Sequence, residues 1–154
     1  MVNYFGTDVR RINHALKVYT LTSNIAKLEG MHGEELAILE TAAVLHDIGI
    51  KESERKYNSS AGNYQEIEGP PVAKELLKEF SLDNKFIERT CFLIGNHHSY
   101  KKIDGLDFQI LVEADFIVNI FEDDMNSDMI KIVRDKYFKT KTGLEYMDSM
   151  YSCE

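Results

Sequence analysis

The stretch Ala42–Ile50, AAVLHDIGI, decides how this chain is read. It is an apolar run of the kind that folds into a core, yet His46 and Asp47 stand in its middle. A buried, unpaired charge costs several kcal/mol or is neutralised by a pKa shift. Two such residues side by side therefore ask for a partner. Glu34 to His46 reads as a helix, with Leu39 and Ala43 seven and three positions before His46 on one face.

Two further helices carry the same signature. A helix capped by Thr7 or Asp8 runs to about Lys27, and His14 shares a face with Val18, Leu21 and Ile25. A helix over Leu106 to Phe121 places Asp115 between Leu111 and Val118. Gly30 and Gly33 break the chain after the first of these. Residues 51–65 are polar and read as a loop long enough to suggest function. Pro70-Pro71 is placed to start another helix, proline fitting a first turn. Ser81 or Asp83 opens one that ends near Asn96, and the loop SYKKIDG follows. Met129 to Phe138 and Leu144 to Tyr151 are the last helical segments. No stretch alternates cleanly with a period of two, DFQILV being the nearest. The expected fold is all-α, a bundle of six to seven helices.

Composition narrows the function. The chain has 154 residues, enough for one domain with a real core, and a net charge of −8. That balance argues against a nucleic-acid polymer as partner, which needs clustered Lys and Arg. A small phosphorylated substrate stays open, because a metal ion supplies local positive charge. Cys91 is in helical register with Ile87 and Ile94, and Cys153 is the penultimate residue, so no disulfide framework is expected. With no apolar leader and no run of about 18 apolar residues, a soluble cytoplasmic protein without a membrane partner is expected.

One histidine on an apolar face is commonly a core residue satisfied by a carbonyl. Three helices that each turn a metal-capable residue inward, with no inward Lys or Arg, are harder to explain that way. Two imidazoles and two carboxylates suit a divalent transition metal. The segment IGNHHSY adds His97 and His98 at a helix end, where a dipole contact is the simpler explanation. Adjacent helical side chains point about 100° apart, so both reach one ion only if the helix ends there.

The set His14, His46-Asp47, His97-His98 and Asp115, with LHDIG and LVEADFIV, resembles the HD-domain superfamily of metal-dependent phosphohydrolases over roughly residues 8–122. The resemblance implies one HD-type domain over 1–154, with helices 123–154 covering the core or forming a homodimer surface. It implies that His14, His46, Asp47 and Asp115 hold a first metal. It also implies that Asp47, the catalytic centre of the set, bridges to a second ion bound by His97 and His98. Where the two-metal branch has one more histidine, this chain has Glu68, a carboxylate able to replace imidazole or a first-turn acid favoured by the helix dipole. One or two divalent ions per chain are expected, from Fe, Mn, Ni, Co, Zn or Mg, with Fe or Mn favoured. Ile50 and SYKKIDG depart from the subgroup that cleaves cyclic dinucleotides, so that substrate is not assigned.

The reading is hydrolysis of a phosphate ester of a small molecule, a nucleotide among the options, by metal-activated water. Lys17, Arg55 and Lys101 are the candidate substrate-binding residues, each equally readable as a solvated cation. The acidic FEDDMNSD near 121–128 lacks calcium-loop spacing. Two alternatives remain: a di-iron oxygenase of the same superfamily, and a non-catalytic sensor binding metal and nucleotide.

Overall fold

Two segments are apolar on nearly every side, and they become the middle of the protein. These are α3 (Gly33–Leu45) and α7 (Leu106–Glu122). In α7 the residues from Ile110 to Asp115 are all buried. The computed structural model describes residues 1–151, so Cys153 lies outside the described residues. Around the central pair stand α1 (Val2–Phe5), α2 (Val9–Leu28), α4 (Ile50–Tyr57), α5 (Gly62–Leu77), α6 (Asn84–Ile94), α8 (Ser127–Tyr137) and α9 (Lys141–Tyr151). A 3-10 turn at Tyr100–Lys102 precedes α7. The fold is all-α, with no strand among the described residues, and DFQILV lies inside α7.

Helix starts follow local chemistry. Asp8, not Thr7, caps α2 by accepting from Arg11 N, and Asp83 caps α6 by accepting from Phe86 N. Asn126 accepts from Met129 N, so α8 begins two residues before Met129. Gly30 and Gly33 hold positive φ values of 85° and 62°, and the chain reverses there.

Three expectations are corrected. Residues 51–65 are mostly helical: α4 fills 50–57 and α5 starts at Gly62. Pro70 and Pro71 sit inside α5, not in its first turn. Proline deletes a helical hydrogen bond there, but tertiary contacts hold the upstream turns. Gly69 packs on Gly49 and Ile94, and Glu66 accepts from His98 N and Ser99 Oγ. The count rises to nine helices among the described residues because α1 is a single turn and α4 is short and mostly polar.

Helix α3 packs on α2, α6 and α7, and α5 packs on α4 and α6. Val133, Phe138 and Met147 of the C-terminal segments join the same core. Cys91 is half-buried with a free thiol against Pro70 O. No helix among the described residues is long and apolar enough to cross a membrane.

Candidate metal centre

The meeting of α2, α3, α6 and α7 collects the inward polar residues. His14 comes from the second turn of α2 and His46 from the residue after α3. His97 follows the end of α6, and Asp115 lies in the middle of α7. Asp47 sits in the four-residue turn between α3 and α4, where Ile48 N and Ile50 N bond three residues back, to Leu45 O and Asp47 O. His46 keeps α-helical backbone angles (φ −55°, ψ −40°), and the three-residue bonds tighten the turn that carries Asp47 beside it.

His14 Nε2 and His46 Nε2 are 3.1 Å apart. Asp115 Oδ1 lies 3.2 Å from the first and 3.6 Å from the second. Asp47 Oδ2 is 3.6 Å from each, while its other oxygen, Oδ1, is 3.5 Å from His97 Nε2. The ligand atoms of His14, His46 and Asp47 lie within 4.8 Å of one another, as do those of Asp47, His97 and His98. Asp47 therefore belongs to both groups. At 17 % side-chain exposure it is also more open than His46 or His97, each at 1 %.

The far nitrogens are anchored. His46 Nδ1 donates to Ala43 O at 2.7 Å and His97 Nδ1 to Ile94 O at 2.8 Å. His14 Nδ1 lies 2.9 Å from Glu122 Oε2, and Lys17 Nζ holds the other oxygen of that carboxylate at 2.8 Å. Three imidazoles thus turn Nε2 to one space, the arrangement in which an outer partner orients a ligating histidine.

The electrostatics follow from crowding. Burial pushes the His46 pKa down, but the charge of Asp47 and the contact with Asp115 outweigh it and raise it to about 9. The same competition raises His14, with Asp115 the main opponent of burial. Burial pushes Asp47 up, yet His46 and His97 bring it down to about 2. Asp115, buried against His14 and His46, falls well below the usual carboxylate range. Without an ion, protons on imidazole carry the positive charge that balances two carboxylates. His98 is different: burial first, then His97, lower it to about 4, which keeps it neutral.

Of five buried polar side-chain atoms without a hydrogen-bond partner among the described residues, two, His97 Nε2 and Asp115 Oδ1, stand at this centre. Orphaned polar atoms are rare in a packed interior and ask for an ion or water. Nitrogen and carboxylate donors converging at these distances fit a divalent metal.

The other candidates lie outside these two donor groups. Glu68 is in the middle of α5, not its first turn, and its carboxylate takes Lys56 Nζ at 2.5 Å and Tyr57 Oη at 2.9 Å. On α5, Gln65 Oε1 lies 3.4 Å from His98 Nε2, and Glu66 accepts from His98 N. Lys17 reaches Glu122, and Arg55 pairs with Glu52 at the surface. Lys101 lines a cavity that also touches His98. Sequence reasoning missed Glu122. Its signal was present, since it stands seven residues after Asp115 and so on the same face of α7.

An all-helical domain with a His/Asp centre between its helices defines a class, and the family comparison agrees: the HD domain family matches residues 11–138. The chain belongs to the HD domain family. No curated protein and no solved structure gives a significant match.

Proposed function

We propose that this protein is a two-metal phosphohydrolase that cleaves a phosphate ester of a small molecule. One observation carries the reading: the two oxygens of Asp47 face two separate donor groups, Oδ2 toward His14 and His46, Oδ1 toward His97. Membership of the HD domain family, whose members are mostly metal-dependent phosphohydrolases, supports it.

His14, His46, Asp47 and Asp115 would hold one ion, and Asp47, His97 and His98 the other. Divalent ions supply Lewis acidity, lowering the pKa of water and drawing charge from phosphoryl oxygens. The chain's own part is to place donors and control protons. Glu122 and the carbonyls of Ala43 and Ile94 fix the imidazoles so that Nε2 faces the centre. Asp47 and Asp115 stay ionised, and His98 stays neutral with a lone pair available. Asp47, the open group, meets the substrate side.

The test is elemental analysis of protein purified without chelator, beside Asp47→Ala and His97→Ala, with phosphate release measured over a panel of phosphate esters. The expected result is about two ions in the wild type, about none in Asp47→Ala and about one in His97→Ala, with hydrolysis lost in the first. Full hydrolysis by Asp47→Ala would refute the proposal.

A further inference from the structure

Beside the metal centre, a cavity of about 780 Å³ opens between the 3-10 turn and the end of α8. His98 lines it and also belongs to the donor group with Asp47 and His97, so one residue links the cavity to the centre. Four lysines share the wall: Lys101 and Lys102 from the turn, Lys136 and Lys139 from the end of α8 and just beyond. No carboxylate among the described residues lines it.

That is unusual for this chain, which carries 26 acidic residues against 18 basic ones. Elsewhere Lys17, Lys27, Lys56, Lys78 and Lys141 each hold a carboxylate and Lys51 bonds Tyr4 O, and what sets the four cavity lysines apart is that they share one concave wall. The contacts of the cavity lysines are to neutral groups. Lys102 Nζ donates to Asn96 Oδ1, Lys139 Nζ donates to Asp135 O, and Lys136 Nζ stands 5.0 Å above the Tyr137 ring. A second cavity, near the turn between α2 and α3, has the opposite character and is lined by six carboxylates. Concentrating unpaired cations in one concave place raises the local concentration of anions. The back wall is rigid, because Tyr137 stacks on Phe116 at 4.8 Å and Tyr100 leans on both.

We infer that this cavity binds a second phosphate of the substrate, so that the preferred substrate is a small molecule bearing at least two phosphates, one at the metal centre and one among Lys101, Lys102, Lys136 and Lys139. This rests on the hydrolase reading for which phosphate is cleaved. The charge pattern itself concerns binding alone. Lysine suits the task, as a compact point charge that meets phosphate without a fixed plane.

The experiment is calorimetric titration of the metal-loaded protein with two matched pairs: fructose 6-phosphate against fructose 1,6-bisphosphate, and adenosine 5′-monophosphate against adenosine 3′,5′-bisphosphate. In at least one pair the bisphosphate should bind about tenfold more tightly, with a steeper salt dependence. Lys136→Glu/Lys139→Glu should abolish that preference while metal content stays at the wild-type value. Lys136→Gln/Lys139→Gln, a milder change at exposed sites, should reduce it part of the way. Equal affinities within both pairs, or a preference that survives the Glu pair, would overturn the inference. Phosphate release separates the two claims. A lysine-dependent preference without turnover upholds the cavity and sinks the hydrolase reading. Turnover with no preference does the reverse.

Discussion

His14, His46 and His97 can face a metal because their Nδ1 atoms already have acceptors, and only for His14 is that acceptor a side chain. Glu122→Gln removes the charge that holds His14 while keeping its shape. Metal affinity should fall about 10- to 100-fold, as for other outer carboxylates, read by competition with a chromogenic chelator. An unchanged affinity would mean that Lys17 and Glu122 form only a surface pair. The charges at the centre also set a pH dependence for the metal-free protein. His46 is raised from 6.5 to about 9, so its contribution to stability is complete below pH 6.5 and is lost as pH climbs through 9. Asp47 is lowered from 3.8 to about 2, so its contribution is present above pH 3.8 and is lost as pH falls through 2. The urea midpoint of metal-free protein should therefore be highest between these limits and decline on the alkaline side. A midpoint that climbs from pH 6.5 towards 9 contradicts the assignment. Metal binding at neutral pH must also displace the His46 proton, which calorimetry in buffers of different ionisation enthalpy detects as proton release.

At the scale of elements, the turn that carries Asp47 is positioned by close backbone contact. A Cβ on Gly49 would stand 2.5 Å from Gln65 O and 2.6 Å from Gly69 N, both main-chain atoms of α5. Nothing flexible can yield there, so α5 comes this close to the turn after α3 because position 49 has no side chain. Gly49→Ala should cost about 1–3 kcal/mol in urea unfolding, the range for overpacking, and should lower metal content because Asp47 is two residues away. A variant with full stability would show that the helices part at little cost. The same contact explains why α5 was hard to read from sequence. Proline in a first turn is a sound local expectation for Pro70-Pro71, but Gly49, Gly69 and Gly95 let α5 pack so closely that its upstream turns stay helical. Helix α4 was obscure for another reason. Only Ile50 and Ser53 of its eight residues are buried, too few to mark a face in a charged segment.

At the scale of the whole molecule, the core and the centre are one construction. The C-terminal half of α3 and most of α7 are buried, so polar groups placed there are held without freedom and short of water. The all-α class and the set His14, His46, Asp47, His97, His98 and Asp115 were legible in the chain. Helical periodicity and burial act locally, and an inward polar residue in an apolar stripe is conspicuous in one dimension. What only the tertiary structure decided is what meets what. Glu122 behind His14 and Gln65 beside His98 join elements far apart in the chain. Packing also decided that Glu68 turns to Lys56 and Tyr57 of the preceding helix, and that four lysines from two segments gather around one cavity. Such contacts depend on how helices pack, a relation between distant residues that no local pattern encodes.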